Sequence, residues 1–227
     1  MPITAEPGFA QYPSFCPGGK EFDYEGWRDG GLPHIYFKRI GAASPIRLTS
    51  ETSTDYNPVC SPDGKQVAFH RIFGDADEGV LVMGIAGGEP KILFRVGAIN
   101  GLIWSHDGRA FIVSHSERKN APRRLRQFSI SSRNWLDLTH PAEATKGDLW
   151  PNISADGSKL VFVRYDSTIS ANLSVLNINP DLSARGEPRV IAKTTTRVAR
   201  DAPRLWSIIK TRWSYEIFRK RKPSFHL

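Results

Sequence analysis

One turn segment recurs along this 227-residue chain at a nearly constant interval, and nothing else in the sequence restricts the fold as strongly. Ser61-Pro62-Asp63-Gly64-Lys65, Ser105-His106-Asp107-Gly108-Arg109 and Ser154-Ala155-Asp156-Gly157-Ser158 are three copies, and Cys16-Pro17-Gly18-Gly19-Lys20 is a degenerate fourth. The glycines Gly19, Gly64, Gly108 and Gly157 stand 45, 44 and 49 residues apart. The chemistry of the segment is that of a tight hairpin corner. Serine accepts a local backbone bond, proline presets φ, aspartate suits the next position and glycine supplies φ > 0.

Each corner is followed by an alternating stretch whose third and fifth residues past the glycine are large and apolar: Phe22 and Tyr24, Val67 and Phe69, Phe111 and Val113, Leu160 and Phe162. The residue between them is Ala68, Ile112 or Val161, so this strand is expected to be buried on both faces, with Asp23 as the exception. A third stretch (35–40, 80–85, 125–130, 173–178) and a short fourth (46–49, 91–94, 136–139, 189–192) complete each unit. Four strands per repeat is the arithmetic of a propeller blade. Helical periodicity is absent before about residue 200, and a sandwich of short strands does not call for one corner at fixed spacing. The expected fold is therefore all-β, a β-propeller of about four four-stranded antiparallel blades near residues 11–50, 56–96, 100–140 and 149–192.

The corner Ser61-Pro62-Asp63-Gly64-Lys65 with Gln66-Val67-Ala68-Phe69, the lead-in Tyr56-Asn57-Pro58 and the blade end Ile46-Arg47-Leu48-Thr49 resemble the WD-like repeat of TolB-type β-propellers. Residues 12–69 are most similar to propellers fused behind bacterial winged-helix regulators or protein kinases. The resemblance covers about residues 1–192 and implies a protein-binding or ligand-binding module. Propellers of this type usually carry six blades, so the four repeats here imply an incomplete copy of that ring. The resemblance also leaves two alternatives open: the accessory propeller of a prolyl-oligopeptidase-like serine peptidase, and a periplasmic TolB-like component of an envelope complex.

Charge is unevenly placed. Of 31 basic and 23 acidic residues, 12 basic and 3 acidic lie in residues 185–227, which makes this end responsible for the whole net charge of +8. No glycine occurs after Gly186, and Arg219-Lys220-Arg221-Lys222 closes a stretch of different composition. Residues 193–227 are expected to form an irregular or helical basic tail, with nucleic acid or anionic lipid as a minor prospect. No apolar run reaches the roughly 20 residues of a membrane span, and the N-terminal residues lack a signal-peptide pattern. A cytoplasmic location is expected, with a periplasmic one requiring a start further upstream.

Reactive chemistry is sparse. Phosphate-binding glycine loops and His-Glu-x-x-His spacing are missing, and two cysteines make no zinc set, so Cys16 and Cys60 are read as free thiols. Ser214 lacks the flanking glycines of a nucleophile elbow. Asp75-Ala76-Asp77-Glu78-Gly79 has closely spaced oxygen donors but not the full set of a calcium loop. His70 and His115 occupy equivalent strand ends and are read as satisfied or solvated. No catalytic residue, cofactor or metal is assigned. The expected function is non-enzymatic binding of a protein or small ligand through the loops joining second and third strands. The loop residues singled out are Trp27, Arg28, Asp75, Asp77, Glu78, Arg118, Lys119 and Tyr165. Self-association through open sheet edges is also expected.

Overall fold

A computed structural model describes residues 8–27, 31–50, 52–74, 77–118, 120–168 and 170–194. The basic tail beyond residue 194, and Arg28, Asp75 and Lys119, lie outside the described residues. Four antiparallel sheets follow one another in chain order. Blade 1 comprises β1 (Phe9–Phe15), β2 (Glu21–Trp27), β3 (His34–Arg39) and β4 (Ile46–Arg47). Blade 2 comprises β5 (Thr54–Cys60), β6 (Gln66–Gly74), β7 (Asp77–Gly84) and β8 (Gly87–Val96). Blade 3 is β9 (Ile99–Trp104), β10 (Ala110–His115), β11 (Arg124–Ser129) and β12 (Trp135–Asp137). Blade 4 is β13 (Gly147–Ile153), β14 (Lys159–Tyr165), β15 (Ala171–Ile178) and β16 (Ala184–Thr194). The first strands β1, β5, β9 and β13 contact one another in sequence and form the inner wall. Among the described residues blade 4 has no comparable packing against blade 1, so the four blades form an arc.

The core lies between blades rather than within them. Val67, Phe69, Leu81 and Met83 of blade 2 pack on Ile35 of blade 1, while Ala68, Val80, Val82 and Phe94 turn to Trp104, Phe111, Val113 and Phe128 of blade 3. Blade 3 repeats the division, sending Ala110 and Ile112 to Leu160, Phe162 and Leu176 of blade 4. The alternation in each second strand thus has a physical purpose. Residues three and five past the corner glycine meet the previous blade, and the residue between them meets the next. Phe69, Phe111 and Phe162 are fully buried, each stabilising the fold by roughly 2–3 kcal/mol through area removed from water.

The three full corners share one bonding scheme. The Ser61 hydroxyl donates to Asp63 Oδ1 at 2.6 Å and accepts from the Gln66 N–H at 3.0 Å, while Lys65 N–H donates to Asp63 Oδ1 at 3.0 Å. Ser105 with Asp107, and Ser154 with Asp156, repeat the hydroxyl–carboxylate contact at 2.6 Å. Gly64, Gly108 and Gly157 all adopt φ of 70°, which a side chain would resist. Successive corners also touch: Pro17 lies against Gly64, Pro62 against Gly108 and His106 against Gly157, where His106 Nε2 donates to the Ser154 carbonyl at 2.7 Å.

Serine hydroxyls first, then backbone N–H groups, hold the carboxyls of Asp63, Asp107 and Asp156 below the usual aspartate range. A carboxyl with a lowered folded value stabilises the fold above its unfolded value and loses that contribution as pH falls through the folded one. Thermal melts are therefore expected to weaken as pH drops below about 4, and the Asp107→Asn, Asp156→Asn double variant to show a shallower decline. An equally steep decline in that variant would place the acid sensitivity elsewhere.

The cysteines correct the sequence expectation. Cys16 and Cys60 form a disulfide with Cα atoms 5.1 Å apart, and neither thiol is free. The reason lies in the repeat: their separation of 44 residues is one short of the 45 between Gly19 and Gly64, so Cys16, at blade 1's corner, meets Cys60 at the end of blade 2's inner strand. Blade 1's corner also has Gly18 where the others have aspartate. It exchanges the serine–aspartate network for a covalent link to the neighbouring blade.

Candidate functional site: the mouth of the inner wall

Opposite the corners, the starts of the inner strands and the ends of the second strands form a mouth. Each inner strand is bulged seven residues before its corner glycine, at Tyr12 (φ 51°), Asn57 (φ 48°), Gly101 (φ 142°) and Trp150 (φ 50°). Three non-glycine residues in this conformation at one register position are unusual, and such bulges re-aim side chains at functional edges.

Two ion pairs with buried carboxylates and partly exposed arginines brace the mouth in alternate blades. Arg71 donates from Nε and Nη2 to the two carboxylate oxygens of Asp55 at 2.6 and 3.0 Å, and Arg164 does the same to Asp148 at 2.6 and 2.7 Å. Both aspartates are fully buried, and both pairs are cross-strand neighbours 16 residues apart. Blade-to-blade bonds are made at the same level. Asp55 N–H donates to the Pro33 carbonyl at 3.0 Å and Asp148 N–H to the Arg123 carbonyl at 2.7 Å. Between blades 2 and 3 the equivalent acceptor is a side chain: Ile99 N–H donates to Glu78 Oε2 at 2.8 Å.

That substitution anchors a polar cluster. His70 Nε2 lies 2.7 Å from Glu78 Oε2, and the Tyr56 ring lies 5.5 Å from the His70 ring. Glu25, with no exposed surface, accepts from Gln11 Nε2 at 2.7 Å and from Asn57 N–H at 3.3 Å. Burial pushes the Glu25 carboxyl above the usual range, against the opposing effects of those two bonds and of His70. Burial also raises Glu78, but the His70 and Ile99 bonds and the charges of His70 and Arg123 outweigh it and leave Glu78 lowered. Tyr12 and Tyr56 are raised by burial and then by Glu25, and Arg123 is lowered by burial. Five perturbed groups linked in one cluster mark a functional-site candidate.

A raised carboxyl favours the protonated fold, so the Glu25 contribution is fully present below the ordinary glutamate value and lost as pH rises through the folded value. Glu25→Gln is expected to raise the melting temperature near pH 7.5, with the gain vanishing toward pH 4. A lower melting temperature at pH 7.5 would show that the partners of the carboxylate outweigh its burial.

The structure distributes the loop residues singled out from sequence unevenly. Glu78 joins the cluster, although it and Asp77 lie on β7 rather than in a loop. Asp77 pairs with Arg95, and Arg118 with Glu143 at 3.5 Å on the exposed rim. Trp27 stacks on Phe9 at 5.2 Å, and Tyr165 meets Trp150 edge-on at 5.7 Å. His70 is buried and paired. His115 is also buried, which pushes it toward neutrality, assisted by Arg126. Sequence reasoning missed Glu25, Tyr12 and Arg123 as site residues. The signal available for Glu25 was a charged residue six past the corner glycine, where blades 3 and 4 have Ser114 and Val163.

No family model and no curated protein matches the chain in sequence. Solved structures do match: TolB from Acinetobacter baumannii superposes with a TM-score of 0.64 at 22% identity, over 82% of this chain and 46% of that one. The fold is that of a TolB-like β-propeller. A putative TolB from Agrobacterium tumefaciens aligns with a TM-score of 0.53 at 18% identity, over 86% of this chain and 84% of that one. A puromycin-hydrolyzing peptidase from Mycobacterium tuberculosis gives 0.62 at 15% identity, over 84% and 30%. The TolB-like arc therefore spans less than half of the Acinetobacter protein and under a third of the peptidase. The described residues contain no helix long and apolar enough to cross a membrane.

Proposed function

We propose that this TolB-like propeller is a non-catalytic interaction module that receives a segment of a protein partner at the mouth. The observation that carries the reading is the internal pairing there. His70 is held by Glu78, Glu25 by Gln11 and Asn57, and Asp55 and Asp148 by arginines. The Ser114 hydroxyl, the nearest counterpart of a nucleophile, donates to the Asp148 carbonyl at 2.6 Å. Groups already bonded to one another supply a fixed pattern of donors, acceptors and aromatic faces, which suits recognition better than proton transfer. Photo-crosslinking residues introduced in the host cell at the exposed mouth positions Leu32 and Arg118 are expected to capture a partner. The same residue at Asp181, on the corner side, is expected to capture none. Capture from the corner side alone would reverse the assignment.

The Cys16–Cys60 disulfide supports an oxidising compartment, and so a place in the cell envelope, over the cytoplasm. Acid quenching of intact cells, followed by alkylation in denaturant with a chelator and non-reducing electrophoresis, tests this directly. Full protection of both cysteines is expected, and labelling of both would return the protein to a reducing compartment.

A further inference from the structure

The repeat provides its own control, because each position occurs in four blades. Blade 1 departs from it twice beside blade 2, and blade 2 departs once in the same place. Three residues before the corner glycine, Cys16 replaces the serine of Ser61, Ser105 and Ser154. Four residues past the glycine, Asp23 replaces the apolar Ala68, Ile112 and Val161. Four residues before its own corner glycine, Cys60 stands where the other blades have Phe15, Trp104 and Ile153. These three departures meet: the two sulfurs and a carboxylate oxygen of Asp23 lie within 4.8 Å of one another. A disulfide accounts for both cysteines. Asp23 adds to the two sulfurs a third ligating group, of the kind that joins thiolates around a borderline-soft cation.

We infer that Cys16, Cys60 and Asp23, in the reduced protein, form a three-ligand site for a zinc-class divalent cation, which the disulfide closes. Two thiolates and one carboxylate suit such a cation, with the fourth tetrahedral position left to water or an external ligand. The geometry permits the change. With Cα atoms 5.1 Å apart, small side-chain rotations separate the sulfurs to the roughly 3.8 Å of two thiolates sharing one tetrahedral cation. Asp23 reaches the pair because the residue four past the corner glycine faces the next blade, as Ala68 and Ile112 do. Asp23 is fully buried and Cys16 nearly so, while Cys60 is partly exposed and gives the cation its entry.

The chemistry balances. A dithiol reductant supplies two electrons and two protons, breaking the S–S bond to give two thiols and leaving as its own disulfide. Cation binding then releases both thiol protons to solvent, and Asp23 binds as the carboxylate. Reoxidation by an acceptor disulfide expels the metal. The site would thus couple metal occupancy at the blade 1–blade 2 boundary to thiol redox state, independently of the mouth.

The test uses cobalt as the probe, since thiolate ligation gives a near-ultraviolet charge-transfer band that surface histidines do not. Full-length protein reduced with a phosphine and freed of excess reductant is titrated with Co2+ under argon, then with Zn2+ in competition. One equivalent of Co2+ with the thiolate band, displaced by one equivalent of Zn2+, is expected. The oxidised wild type, which needs no substitution, should show no band. Asp23→Asn should retain the band with affinity lowered more than about tenfold, since even an outer-shell carboxylate is worth that much. Absence of the band in reduced protein that keeps its β-sheet circular dichroism would overturn the proposal. So would a band of equal strength in the Cys16→Ser, Cys60→Ser double variant. Unchanged affinity in Asp23→Asn would remove the aspartate from the site and with it the three-ligand assignment.

Discussion

Asp148→Ala is expected to destabilise the protein by about 3 kcal/mol in urea unfolding, one of the two largest single-residue effects expected in this fold. The carboxylate is fully buried and takes two short bonds from Arg164, so its loss leaves a guanidinium in the mouth without its partner. The figure sits at the low end of the range for breaking a buried pair because the Arg164 side chain keeps 22% of its surface exposed and can recruit water. An Asp148→Leu, Arg164→Met double variant should recover most of the loss, since the desolvation cost of both charges disappears with them. A single-variant effect below about 1 kcal/mol would mean that the pair is solvated in solution. Asp55 with Arg71 should behave alike, with Ser53 Oγ, 2.6 Å from Asp55 Oδ2, as an additional partner.

Gly147→Ala is expected to cost about 3–5 kcal/mol, combining a strained backbone with overpacking. Gly147 adopts φ of 94°, and a Cβ there would come within 2.1 Å of the Arg123 carbonyl oxygen and 2.3 Å of its nitrogen. Those are backbone atoms of blade 3, so they can yield only by separating blades 3 and 4 where Asp148 N–H and the Arg123 carbonyl bond. Gly186 supplies the control. It has φ of 81° and open space for 4 Å around the place a methyl would take, so Gly186→Ala should cost only the conformational strain, about 1–2 kcal/mol. Equal losses at the two sites would show that blade contact adds nothing to the backbone strain.

The fold was legible because its determinants are local. Corner chemistry needs five consecutive residues, and the burial of Val67, Ala68 and Phe69 on two faces follows from side-chain alternation alone. The disulfide was legible in principle, since the separation of Cys16 and Cys60 is within one residue of the repeat. Counting cysteines instead of placing them on the repeat hid it. The ion pairs carried a quieter signal, an aspartate and an arginine 16 residues apart at the same two positions in blades 2 and 4. The polar cluster was not legible as a unit. Glu25, His70 and Arg123 come from three blades, and Glu78 belongs with them only because its carboxylate replaces the backbone acceptor used between the other blades.

Bonds between blades make the mouth a rigid surface, and an interaction module with paired charges gains its specificity from that pre-organisation. Native-state hydrogen exchange of the Asp55, Ile99 and Asp148 amides measures the rigidity at the three bonds themselves. All three are predicted to exchange only through global unfolding, as slowly as the amides at the centres of β6 and β10. Exchange as fast as at the exposed Ala86 turn, with β6 and β10 still protected, would contradict it and leave the mouth a set of independent strand ends.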